Sequence, residues 1–114
     1  MIATRKSWKT QPPAAMTEIP YSASFSDAEY EQIRDGRVPR SGEDRWFAFF
    51  EDGTLFIHQA STGFCAFMVA FESTKGSCVA TGASTQLDLE GWSHRQLDSV
   101  VELVDSLIRG LLLR

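Results

Sequence analysis

Hydrophobic and polar positions change their period three times along the chain. From Thr17 to Phe25 (TEIPYSASF) they alternate, as along a half-buried strand, with Pro20 restricting that strand to an edge or a bulge. Ser26 and Glu29 then form a capping box, and Phe25 and Tyr30 take the positions of a hydrophobic staple, so a helix starts here. Gly36 and Pro39 end it after a few turns. Alternation returns from Arg45 to about Ala83. The last segment has Leu97, Val100, Val101, Val104, Leu107, Ile108, Leu111 and Leu112 on one helical stripe, opposite Arg95, Asp98, Glu102, Asp105 and Arg109. Ser93 is its expected N-cap, with Gln96 three residues on and Trp92 and Leu97 as a second staple. The order β-α-β-β-β-β-α predicts an α+β fold, an antiparallel sheet of four to five strands with the C-terminal amphipathic helix packed on one face.

The central alternating block is unusually aromatic. Between Arg45 and Phe71 lie seven of the eight phenylalanines, and they change what the sheet requires. Asp52-Gly53 sits between two of its runs, and a two-residue hairpin loop of this kind needs positive φ at both central positions. That loop pairs Phe50 with Leu55, Ala48 with Ile57 and Trp46 with Gln59, and puts Arg45, Phe47, Phe49, Phe56 and His58 on the opposite face. The strand from Phe64 to Phe71 divides into Phe64, Ala66, Met68, Ala70 and Cys65, Phe67, Val69, Phe71. Both sheet faces are therefore apolar. With one face on the core, Phe47, Phe49 and Phe56 are expected at an interface with a protein partner or a second copy in a homodimer.

At 114 residues the chain holds one core, and 43% hydrophobic with 23% charged residues argues for a globular rather than a disordered protein. Residues 1–16, with Pro12-Pro13, read as a flexible tail ahead of a single domain over 17–114. The tail holds Arg5, Lys6 and Lys9 and no acid; from Glu18 onward eight basic residues face fifteen acidic ones. A domain with that balance is a poor partner for nucleic acid, whose phosphates must be neutralised. There is no apolar leader and no run long enough for a membrane span. Cys65 and Cys78 have no CxxC or Cys/His cluster around them, so they are expected reduced in a cytoplasmic protein, with no metal or cofactor.

Candidate chemistry is sparse. His58 stands among phenylalanines just before Gln59-Ala60-Ser61-Thr62-Gly63, a loop whose hydroxyls and N–H groups could meet an anion. It could serve as a general base or simply donate to a backbone carbonyl. Ser61, His58 and Asp44 or Glu43 make a triad only on paper, since no nucleophile elbow is present. His94 is expected on the surface at the start of the last helix. Glu43-Asp44 between Arg40 and Arg45 reads as a mixed-charge loop.

Asp44, Arg45, Trp46, Phe47, Asp52, Gly53, Leu55, His58, Thr62, Gly63 and Cys65 fall on a pattern. It resembles a family of small bacterial domains with a W-F…D-G-x-L-x-x-H-R-S-W-T-G-x-C core. Gly36, Val38 and Pro39 match its upstream step, and the resemblance covers roughly residues 20–114. Some members look to be appended to ADP-ribosylglycohydrolase-like domains, which implies an accessory or ligand-sensing role. Where that family has H-R-S-W-T-G, this chain has His58, Gln59, Ala60, Ser61, Thr62 and Gly63, without the Arg and Trp suited to an anionic or planar ligand. The expected function is a non-enzymatic binding module, with His58, Thr62, Gly63, Arg45 and Trp46 as ligand-binding candidates. The alternative is a sensor or enzyme for a nucleotide-like or ADP-ribose-like ligand, using His58 and the 59–63 loop.

Overall fold

The computed structural model describes residues 2–40, 43–86 and 94–113. It is an α+β fold, with strands β1 (Thr17–Ile19) and β2 (Ala23–Phe25), helix α1 (Asp27–Asp35), strands β3 (Trp46–Glu51), β4 (Thr54–Gln59), β5 (Cys65–Thr74) and β6 (Ser77–Thr85), and helix α2 (His94–Leu107). A π-helical turn, Ile108–Leu112, extends α2. The strands form one antiparallel sheet in the order β1-β6-β5-β4-β3, with β2 also paired to β6. The single strand expected over 17–25 is thus two, because Pro20 lacks the N–H needed to continue the ladder.

Asp52 and Gly53 both have positive φ, 52° and 77°, and the β3–β4 register is the one they predict, Trp46 opposite Gln59 and Phe50 opposite Leu55. The front face of the sheet carries Leu55, Ile57, Phe67, Val69, Ala80 and Ala83, and on it pack Ile33 of α1 and Val100, Val104, Ile108 and Leu112 at the C-terminal end. Those last four are the centre of the apolar stripe. Tyr21 hydroxyl donates to Asp105 Oδ1 at 2.8 Å, and Arg109 holds the same carboxylate while lying 4.9 Å from the Phe25 ring centroid. Burial and the Asp105 carboxylate both push the Tyr21 phenol well above its ordinary pKa. The expected Ser93 cap, Trp92 staple and surface position of the His94 side chain fall outside the described residues.

Strict alternation fails once in β5. The β4–β5 register shifts between Ile57 and His58, so that Ile57 faces Phe67 while His58 faces Cys65. The extra residue, Ala66, turns Cys65 to the back of the sheet, away from Phe67, Val69 and Phe71, with which simple alternation groups it.

At α1 the capping box is complete. Ser26 accepts from the Glu29 N–H, and Glu29 accepts from the Ser26 N–H. Ser26→Ala removes one half of it and is expected to cost about 1 kcal/mol, read as a fall of about 4–8 °C in melting temperature. Ser26→Asp, which keeps an accepting oxygen, should cost only tenths, and a loss equal to that of Ser26→Ala would deny the side-chain acceptor its part.

The largest difference from expectation is at the start of the chain. Residues 2–16 are not a loose tail but a strap laid over the back of the sheet. Ala3 is 1% exposed and packs with Phe47, Phe49, Phe56 and Cys65; Trp8 and Met16 join the same cluster. The Ala3 N–H donates to Asp35 O, Trp8 Nε1 to Ala60 O at 2.8 Å, and Gln11 N–H to Gly63 O at 2.8 Å. Arg5 lies over the Phe49 and Phe56 rings and pairs with Glu51. The reason is the aromatic back face itself, because each Phe left in water forgoes roughly 1.5–3 kcal/mol.

Candidate functional site

The strap decides what the aromatic face can do. Phe47 and Phe49 are fully buried and Phe56 nearly so, covered by their own chain rather than offered to a partner. The expectation that they form an interface is corrected accordingly. Phe49 stacks on Phe56 with centroids 4.9 Å apart and on His58 at 5.5 Å, so the imidazole belongs to an aromatic stack.

His58 is 1% exposed. Its Nδ1 lies 2.8 Å from the Gly63 carbonyl oxygen, which can only accept, so Nδ1 carries the proton. Nε2 is then a lone-pair acceptor, buried and without a hydrogen-bond partner among the described residues. Burial holds the His58 pKa below its ordinary value, opposed by the Gly63 bond and aided by Arg5. Cys65, its cross-strand neighbour, is also buried, and burial pushes its thiol up to about 11. Neither side chain reaches solvent, and Cys78 is buried beneath the front of the sheet. Among the described residues no three His, Cys, Asp or Glu side chains gather as a metal site.

The 59–63 loop is closed on itself. Gln59 N–H donates to Phe64 O, Gly63 N–H to Gln59 O and Ala60 N–H to Arg45 O. Thr62 Oγ accepts from Phe64 N–H and donates to Gln59 Oε1. Gly63, at φ 80°, faces the strap so closely that a Cβ would meet Lys9 O and Thr10 Cα at 3.2 Å. Thr62 and Gly63 therefore shape the loop and seat the strap, and their polar groups are engaged within the fold rather than aimed at a ligand.

The residues singled out from sequence thus separate. His58 and Gly63 lie under the strap, whereas Arg45 and Trp46 line an open cleft of about 320 Å³ with Asp44, Gln59 and Ser61 at the other side of the sheet end. Trp46 is half-buried against the front core, and Arg45 and Ser61 are exposed. Asp44 is occupied, accepting the Arg40 N–H at 2.8 Å. No ion pair engages Arg45 among the described residues. Gln59 and Ser61 enter the cleft because β3–β4 pairing sets Gln59 opposite Trp46, a consequence of the hairpin register.

A second, larger hollow of about 570 Å³ occupies the half of the back face that the strap leaves open, between Glu18–Ser22 and Thr54, Met68, Ala70 and Gly82. Glu18 is the one charged residue of its lining. Compared with known proteins, the chain matches no family model, no curated protein and no solved structure.

Proposed function

We propose that this chain is a non-catalytic binding module for a small planar anion, nucleotide-like in its chemistry, held in the cleft between Arg45 and Trp46. The reading rests on one juxtaposition. Arg45, which has no ion-pair partner among the described residues, and the half-buried Trp46 line one cleft together with Gln59 and Ser61. Guanidinium forks suit carboxylate and phosphate, and an indole face suits a flat ring. A few polar groups around an apolar wall is also how small-ligand sites fix orientation.

Binding is favoured over catalysis by the position of His58. The one described imidazole that could move a proton lies on the opposite face of the sheet, buried under the strap. A protein partner on Phe47, Phe49 and Phe56 loses its support for the same reason.

Titrating AMP and following amide and indole shifts tests the reading. Shifts should centre on Trp46, Gln59 and Ser61. Arg45→Gln should weaken binding at least tenfold, the size of one lost charge-assisted hydrogen bond of about 1.5–3 kcal/mol. His58→Phe should leave affinity unchanged. Shifts centred on the strap, or an Arg45→Gln titration matching that of the unaltered chain, would overturn it.

A further inference from the structure

We propose that residues 2–16 are an acid-sensitive strap, latched over the aromatic back face by neutral His58 and loosened when that imidazole takes up a second proton. The geometry is specific. Nδ1–H is committed to Gly63 O, and the same carbonyl accepts the Gln11 N–H of the strap, so His58, the loop and the strap share one acceptor. Nε2 faces a buried site with no hydrogen-bond partner among the described residues. A lone pair can sit there at modest cost. An N–H⁺ cannot, because a buried charge without an acceptor is strongly disfavoured.

The groups around the imidazole sharpen the effect. From the strap comes the Arg5 guanidinium, 5.3 and 5.4 Å from the Phe49 and Phe56 centroids, so a second cation would join the ring stack it already covers. Lys6 and Lys9 of the strap are exposed. The one carboxylate on β3 is Glu51, at the far end of the strand and already paired with Arg5, and towards His58 β3 presents Phe47 and Phe49. From β5 comes Cys65, whose raised pKa leaves it an uncharged thiol. No packed element brings His58 a free anion among the described residues. Lifting the strap is the smallest movement that lets water reach Nε2, since the neighbours of His58 on either side are β3 and β5, hydrogen-bonded to β4 in the sheet.

The sign follows from linkage. A histidine whose pKa is lowered by closure is matched to the closed state above its free pKa of about 6.5 and opposes closure as pH falls below it, by up to tenfold per pH unit for one proton. Open strap binds the proton; closed strap excludes it.

Hydrogen exchange of backbone amides on the full chain at pH 7.5 and pH 5.0, each corrected for intrinsic rate, provides the test. Protection of the Ala3 and Gln11 amides should fall at least tenfold in acid, while Leu55, Val69 and Ala83 in the sheet keep theirs. Glu51→Gln should retain this pattern and His58→Phe should lose it. Should His58→Phe fail to fold, an imidazole titration in the unaltered chain replaces it, and its midpoint must track the loss of Gln11 protection. The proposal is overturned if strap and sheet lose protection together, if neither changes, if His58→Phe retains the acid response, or if imidazole and strap respond at different pH.

Discussion

Deletion of residues 2–16 is expected to leave a folded but weakened and self-associating sheet. Phe47, Phe49 and Phe56 owe part of their burial to Ala3, Trp8 and Met16, and removing that cover exposes a contiguous aromatic face. Full burial is worth roughly 1.5–3 kcal/mol for each large apolar side chain, so partial exposure of three gives a loss of about 3–5 kcal/mol. Against a total of about 5–15 kcal/mol that is a large fraction. The fold itself should persist, because the front core of Leu55, Ile57, Phe67, Val69 and the C-terminal stripe does not include the strap. Thermal melting should drop by more than about 10 °C. Sedimentation should show association that rises with concentration, since uncovered aromatic patches of this kind seek partners. A truncated chain that melts like the full one and stays monomeric would mean that the strap contributes nothing to burial, contrary to the packing of Ala3 and Trp8.

Much of the architecture was legible because local signals and the global fold agree. Asp52-Gly53 fixed one register, and that register alone determines which aromatic residues share a face. The Ser26 box and the Val100–Leu112 stripe likewise state their roles in sequence. What alternation could not show was the bulge at Ala66, since one extra residue inverts every assignment on its N-terminal side and carries no sequence mark of its own. The strap is hidden for a different reason. Its segment has no periodicity, and its prolines and charges read as a tail. The cue it did carry was Trp8, with Ala3 and Met16, apolar groups for which a solvated tail has no use. An aromatic second face demands cover, and the segment that precedes β1 supplies it.

The candidate site was legible in its parts and not in its grouping. Trp46 and His58 are neighbours in the hairpin, yet they occupy adjacent rungs, Trp46 opposite Gln59 and Phe47 opposite His58. Side chains on adjacent rungs point to opposite faces, so the register that identified them also separates them. His58 then falls under the strap, while Trp46 and its partner Gln59 line the open cleft with Ser61; Arg45, which alternation places on the His58 face, precedes the first residue of β3 and lines that cleft instead. In sequence the Gly63 turn resembles a cradle for an anion; its positive φ instead brings its carbonyl to His58 and Gln11.

Gly36→Ala should be the most damaging glycine-to-alanine change among the described residues. Gly36 has φ 66° and ψ −160°, a region that is essentially closed to residues with a Cβ, at a cost of about 1–3 kcal/mol. Conformation is only the first difficulty. The added methyl would fall inside hard contact with the Ala48 carbonyl oxygen and lie 3.0 Å from the Ala3 Cβ. Neither neighbour can give way cheaply. Ala48 exchanges both backbone hydrogen bonds with Arg37, and the Ala3 N–H is fixed on Asp35 O, so the end of α1, the edge of β3 and the start of the strap meet at this residue. A combined loss above about 3 kcal/mol is expected, enough to lower the melting temperature by more than about 12 °C. Gly110→Ala is the matched comparison. Its Cβ would enter open space on the helical turn after α2, where alanine is the better helix former by about 1 kcal/mol. The two variants add the same atom, and their melting temperatures should move in opposite directions. A Gly36→Ala chain within two or three degrees of the unaltered protein would show that the three-way junction can shift, and that the strap is less firmly seated on α1 and β3 than its hydrogen bonds indicate.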